Sequence, residues 1–182
     1  MNIIPAKEKY IKTVAAEMKN KFGYKNVMAL PRVKKVIVNV GIGKIVKEND
    51  KIEEVVNSIT AITGQKPIKT KARKAISGFK VREGMEIGVK VTLRGKRMWQ
   101  FIDRLVGATL PRTRDFQGIS RKAIDNGGSL NIGIKEHMIF PEISPEHVKH
   151  AFGLQVTVST DAKSQEEGLE LFKLLGFPIK NE

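Results

Sequence analysis

Hydrophobic positions along this chain switch repeatedly between two periods. After Pro5, the residues Tyr10, Ile11, Val14, Ala15, Met18 and Phe22 recur at helical spacing, and Gly23 supplies a stop. From Arg32 the period becomes two. Val36, Val38, Val40 and Ile42 fall on one side and Lys35, Ile37 and Asn39 on the other, a strand ended by the Gly41-Ile42-Gly43 turn. Asp50, with Glu53 three positions on, marks a helix start; Ile52, Val55, Val56, Ile59 and Ile62 form its stripe and Gly64 closes it. Pro67-Ile68 opens a short extended piece. Ile87, Val89, Val91 and Leu93 then alternate with Gly88, Lys90, Thr92 and Arg94, the clearest strand signal in the chain. A third helix runs from about Lys96 through Met98, Phe101, Ile102, Leu105 and Val106. Residues 107–129 lack periodicity, and a loop of that length is usually functional or disordered. Leu130, Ile132 and Ile134 resume the alternation, as do Leu154, Val156 and Val158. Ser164 and Glu167 then cap a last helix with the stripe Leu169, Phe172 and Leu175, ended by Gly176 and Pro178.

Strands with one apolar face each, interleaved with helices, predict an α+β fold. Its mainly antiparallel sheet carries helices packed on one face and leaves the other face open. The length suits a single domain over 1–182, with a protruding basic loop at 71–84 and a long loop at 107–129. The open face offers Asn39, then Lys90, Thr92 and Arg94, then Asn131 and Lys135. Such small polar and charged side chains would read the backbone and sugar edges of a nucleic acid.

Charge sharpens that expectation. The net charge is +14 and it is unevenly spread. Lys66 to Arg97 holds eleven Lys or Arg against two acids, Glu83 and Glu86, whereas residues 98–182 hold ten basic and eleven acidic side chains. Concentrating like charge in a folded segment points to a polyanionic partner, with RNA ahead of DNA or an anionic membrane surface. No stretch has the apolar length of a membrane span, and the N-terminus has no secretory signal pattern. There are no cysteines, which excludes disulfides, thiolate metal sites and a cysteine nucleophile.

Catalytic motifs are not found. Gly41-Ile42-Gly43 would need a glycine at Val46 to start a dinucleotide fingerprint, and Gly64-Gln65-Lys66 is followed by Pro67 instead of Ser or Thr. His147 and His150 make a weak metal pair without a third ligand, and Asp115 beside Arg112 and Arg114 reads as a local ion pair that orders the loop. No cofactor or metal is expected. An RNA-modifying or RNA-cleaving enzyme on a basic α+β domain is the alternative, and membrane-surface binding a third reading. Aromatic residues are too few for a base-stacking platform. Phe79 in the basic loop reads as a stacking residue or as a loop anchor, and Trp99, beside Met98 on the third helix, as core.

Several long motifs occur together in one order. They are Gly64-Gln65-Lys66-Pro67, Thr70-Lys71-Ala72-Arg73-Lys74, Gly78-Phe79-Lys80-Val81-Arg82-Glu83-Gly84 and Gly88-Val89-Lys90-Val91-Thr92-Leu93-Arg94-Gly95. Met98-Trp99, Pro111-Arg112-Thr113-Arg114-Asp115-Phe116 and Ile139-Phe140-Pro141-Glu142 follow. Nearly end to end, the chain resembles the bacterial large-subunit ribosomal protein five family. It departs at Ile179, where members commonly carry a second aromatic. The resemblance implies a monomeric, non-enzymatic constituent of the cytoplasmic ribosome that binds 5S rRNA and helps attach it in the central protuberance, beside 23S rRNA. It implies 5S rRNA contacts at Asn39, Gln65, Lys90, Thr92 and Arg94. It further implies contact with P-site tRNA through the loop bearing Lys71, Arg73, Lys74, Phe79, Lys80 and Arg82. An intersubunit bridge to a protein of the small-subunit head would fall on 107–118 and 135–145, with Arg112, Arg114, Phe116 and Glu142 as candidates.

Overall fold

A computed structural model describes residues 4–43, 45–46, 48–114, 116–144, 146, 148 and 150–180. Its strands are β1 (Val33–Gly41), β2 (Ile68–Lys71), β3 (Glu86–Leu93), β4 (Leu130–Ile134) and β5 (Leu154–Thr160). They form one five-stranded antiparallel sheet in the order β2-β3-β1-β5-β4. Helices α1 (Ala6–Lys9), α2 (Ala15–Phe22), α3 (Asn49–Thr63), α4 (Gly95–Arg104) and α5 (Gln165–Leu175) complete an α+β fold. The chain divides into two compact units. The first comprises Met1–Val36, Arg94–Ile132 and Thr157–Glu182; the second comprises Ile37–Leu93 and Gly133–Val156.

In the first unit α1 packs on α4, and α2 on α5. Pro5 cannot cap α1 with a side chain, so the Ala6 N–H donates instead to Asp103 Oδ1 of α4 at 2.7 Å. Between α1 and α2 the backbone forms a π-helical turn, Tyr10–Val14. The extra residue of that turn rotates the side-chain phase. Val14 and Met18 are therefore buried, while Ile11, expected in the stripe, is 63% exposed. A second π-turn, Leu105–Thr109, and a 3-10 turn, Leu110–Arg112, extend α4 into the stretch that shows no periodicity in sequence. That stretch is also tied to the C-terminal segment. The Ile119 N–H donates to the Pro178 carbonyl at 2.7 Å and the Lys180 N–H to the Ile119 carbonyl at 2.9 Å. Phe177 meets Phe172 edge-on at 5.2 Å, and Ile179 bridges to Ile119.

The expected cap of α5 is present. Ser164 Oγ accepts from the Glu167 N–H at 3.3 Å, and Glu167 Oε2 reaches back to the Lys163 N–H at 2.9 Å. Glu167 Oε1 also accepts from the Tyr24 hydroxyl at 2.7 Å. Burial and this bond to a carboxylate push the Tyr24 pKa up to about 12. The buried stripe of α5 is Gly168, Leu171, Phe172 and Leu175, with Leu169 half-buried.

In the second unit α3 lies on β3 and buries Ile52, Val55, Ile59 and Ile62. Val38, Val40, Val89, Val91 and Leu93 of the strands are buried as well. The N-cap of α3 is Glu48, without a side-chain cap bond; Asp50 lies inside the first turn, where its charge favours the positive helix end. Gly64, at φ +66, closes α3 as the sequence predicts.

Close approach of α5 to the loop before β4 requires two glycines. A Cβ on Gly168 would come within 2.8 Å of the Gly128 carbonyl carbon, and Gly128 itself sits at φ +71. Gly168→Ala is expected to destabilise the protein by about 1–3 kcal/mol through overpacking. This lowers Tm by roughly 2–12 °C in thermal denaturation. Gly107→Ala, with nothing within 4 Å of the added methyl, is the matched control. Equal Tm values for the two variants would refute this account of the contact.

Candidate nucleic-acid interface

One face of the second unit's strands is buried and the other exposed, because residues alternate across a pleated sheet. On β3, Val89, Val91 and Leu93 point inward, leaving Lys90 exposed and Thr92 half-buried. On adjacent β1, Val38 and Val40 are buried and Asn39 is exposed. Gln65 follows the αL closure of α3, and its Nε2 donates to the Thr92 carbonyl at 3.4 Å. The Thr63 hydroxyl steadies this corner, donating to the Ile59 carbonyl at 2.7 Å. Asn39, Lys90 and Thr92 thus stand on strands and Gln65 in the bend after α3, with two amides, a hydroxyl and an ammonium at least partly open to solvent.

The sequence reading of this face left out β5. Its inward residues Leu154, Val156 and Val158 are buried, while Gln155 in the second unit and Thr157 and Ser159 in the first remain exposed or half-buried. Thr157 Oγ1 donates to Asn131 Oδ1 at 2.7 Å within the first unit. The same period-two alternation that identifies β5 would have exposed these polar positions.

The segment 71–84, expected as a loop, is the far end of a β-hairpin. β2 pairs with β3 antiparallel, Ile68 opposite Lys90 and Thr70 opposite Gly88, with a register shift between Thr70 and Lys71. Beyond the shift, the Ala72 N–H donates to the Met85 carbonyl at 2.8 Å, and Ile76 bridges Val81. A 3-10 turn, Ser77–Phe79, makes the tip. Lys71, Arg73, Lys74, Lys80 and Arg82 are all exposed. Phe79 is 79% exposed, which removes the loop-anchor reading, and Ile76 beside it is 50% exposed. The left-handed residue of the tip is Lys80, at φ 54, and not Gly78.

Other residues singled out in the sequence lie elsewhere. Arg94, at the end of the Lys90-Thr92 alternation, is the extended N-cap of α4 and belongs to the first unit. Arg112 and Arg114, both exposed, and half-buried Phe116 also belong to that unit, whereas Glu142 belongs to the second. Glu142 lines a recess of about 570 Å3 with Asp50, Glu53, Glu54 and His150. The supposed ion pair of Asp115 and the pairing of His147 with His150 fall on Asp115 and His147, outside the described residues. Among the described residues no three potential metal ligands gather. Trp99 is half-buried and lines a recess of the first unit, so it is not a core residue.

Comparison with known proteins bears on nearly all of the chain. Residues 26–82 match the family model described as Ribosomal protein L5, and residues 86–179 match that of the ribosomal L5P family C-terminus. The "Large ribosomal subunit protein uL5" of Halothermothrix orenii is 50% identical over 172 residues, 94% of this chain and 96% of that protein. Proteins of the same description from Colwellia psychrerythraea and Desulforamulus reducens are 47% and 49% identical over 173 residues, each covering 95% of this chain and 96% of the relative.

A buried imidazole adds pH sensitivity to the second unit. His137 stacks on Phe152 with centroids 3.8 Å apart, and its Nδ1 accepts weakly from the Phe152 N–H at 3.4 Å. Nε2 is buried without a partner among the described residues. Burial lowers the His137 pKa below the ordinary 6.5, against the opposing pull of the Glu54 and Glu136 carboxylates. A depressed histidine pKa favours the folded protein fully above the unfolded value. That stability is lost as pH falls below about 6.5, because the unfolded chain takes up the proton first. His137→Gln should therefore flatten the fall of Tm between pH 7 and pH 5. An acid slope as steep as in the parent protein would show that His137 does not contribute to it.

Proposed function

This chain belongs to the ribosomal protein L5 family and is a protein of the large ribosomal subunit, and from that premise we propose that it binds 5S rRNA through the exposed strand face of its second unit. The observation that carries the proposal is the bond from Gln65 to the Thr92 carbonyl. It gathers an amide at the end of α3 onto the strand that presents Thr92 and Lys90, with Asn39 on the neighbouring strand. These groups suit an RNA helix. Lys90 meets phosphate, while Thr92, Asn39 and Gln65 exchange hydrogen bonds with 2′-hydroxyls and backbone oxygens. The strand ladder holds the main chain of Asn39, Lys90 and Thr92, and the bond to Thr92 holds Gln65, so binding orders side chains but not backbone. The protein acts as a structural constituent and not as a catalyst, in the cytoplasmic ribosome. Among the described residues no helix is long and apolar enough to cross a membrane.

The hairpin end suits a different partner. Lys71, Arg73, Lys74, Lys80 and Arg82 put phosphate-binding charge on an exposed extension, and Phe79 and Ile76 offer it an apolar tip. We assign P-site tRNA to this tip, because such contacts grip a backbone without requiring sequence. Phosphates of 23S rRNA would draw on the remaining basic excess of the first half. For a small-subunit head protein the candidate contacts remain Arg112, Arg114 and Phe116 in one unit and Glu142 in the other.

Binding through several phosphates makes affinity steeply salt-dependent. If Lys90 and about five further cations of the basic first half meet phosphate, 5S rRNA affinity falls roughly a thousandfold between 50 and 200 mM salt in filter binding. A nearly flat titration would remove the phosphate-based reading. Replacing Arg73, Lys74, Lys80 and Arg82 together by alanine should leave 5S rRNA binding within about twofold, because these side chains lie past the register shift, at the far end of the hairpin from Lys90 and Thr92. P-site tRNA retention on ribosomes assembled with the variant should weaken roughly tenfold or more. Parallel loss of both activities would show that the surface is not divided in this way.

A further inference from the structure

The first unit contains a recess of about 710 Å3, within the span of about 300–1,000 Å3 common for small-ligand sites. Arg32, Lys34, Lys35 and Arg94 line it, together with Ser159 and the indole of Trp99, and no lining residue is a carboxylate. We propose that this recess is a second RNA-binding site that takes one unpaired nucleotide, its phosphate held by Lys35 and Arg94 and its base laid against Trp99. The inference rests on the reading of this chain as an RNA-binding protein and adds a binding mode that the strand face does not provide.

Charge supports an anionic occupant. Asp161 partly offsets two of the four cations, lying 3.4 Å from Arg32 Nε and 3.7 Å from Lys34 Nζ. Lys35 and Arg94 form no ion pair among the described residues, and Arg94 spends no hydrogen bond on capping α4. Cations brought together without counter-charge repel one another, and an anion relieves that repulsion. The aromatic wall narrows the choice. Trp99 is half-buried and steadied from one side by Tyr10, whose ring lies 6.0 Å away at 36° and whose hydroxyl is tied to the Pro31 carbonyl at 3.1 Å. A base inside an A-form duplex cannot present its face to an indole within a recess, whereas an unpaired base can. Stacking also tolerates any base, which suits a site whose lining hydroxyls are those of Ser159 and of Thr160, the latter already donating to the Gly128 carbonyl at 2.8 Å.

Trp99 is the single tryptophan of the chain, so its emission reports directly on the recess. The full-length protein is titrated with a single-stranded RNA oligomer, with a hairpin duplex of the same length, and with 5S rRNA. The oligomer is expected to quench Trp99 emission, and the duplex to leave it unchanged at concentrations where the oligomer saturates. Lys35→Ala combined with Arg94→Ala should weaken oligomer binding at least tenfold. Trp99→Leu, followed by anisotropy of a labelled oligomer, should weaken it by about five- to hundredfold, the range for one lost base stack. Oligomer binding without quenching, or with affinity unchanged in both variants, overturns the proposal, and so does equal quenching by polyglutamate, which would mark an acidic protein segment as the occupant. In those cases retained 5S rRNA binding leaves the strand-face reading standing. Failure of the parent protein to bind either RNA overturns both readings.

Discussion

A pleated sheet presents two faces, and a chain of this size has helices enough to cover one. A lysine or arginine placed under a helix would lose its hydration without a partner, at a cost larger than most single interactions can offset. The cations of the strands are therefore driven to the uncovered side as soon as the valines and leucines beside them are buried. Lys90 between Val89 and Val91 is the clearest instance: two fully or almost fully buried neighbours leave it no inward option. The chemistry of the exposed face follows from that exclusion.

The hairpin formed by β2 and β3 obeys a different economy. Near α3 the strand β3 shares in the buried core while β2 buries none of its residues, and past the register shift at Thr70 and Lys71 little apolar surface is buried beyond Ala72. Its far end is held by main-chain hydrogen bonds such as those joining Ala72 to Met85 and Ile76 to Val81. Each contributes about 1 kcal/mol net in water. One segment thus carries cations in two mechanical settings. Lys90 stands on a strand anchored by the core, whereas Arg73 and Lys80 ride a ribbon that opens locally at little cost.

How much of this was legible in the sequence depends on whether burial left a trace. β1, β3, β4 and β5 are visible because one face of each is buried, so apolar residues recur at every second position. Beyond Ala72 neither face of the hairpin is buried, its apolar residues Ile76 and Phe79 are exposed, and no alternation exists to betray paired strands. The π-turn at Tyr10–Val14 is equally silent, since it changes the phase of a helix without changing its composition, and Ile11 was assigned to the wrong side. Of the candidate site, Asn39, Lys90 and Thr92 could be placed on the open face from period alone. Gln65 could not, because it joins them through a tertiary bond to a carbonyl. Trp99 read as core from its neighbour Met98, yet a ring that large can border a recess and still cover apolar surface.

The tip turn carries a cost of its own. Lys80 occupies a left-handed backbone conformation without the help of a glycine, an arrangement that L-residues adopt at an expense of roughly 1–2 kcal/mol. Folding of the ribbon and display of charge are thus set against each other at one residue. Glycine there would relax the backbone and delete the ammonium; lysine retains the ammonium and keeps the turn under tension. A mirror-image lysine, incorporated by chemical synthesis, would satisfy both demands at once, so the compromise lies in the handedness of the side chain and not in its charge.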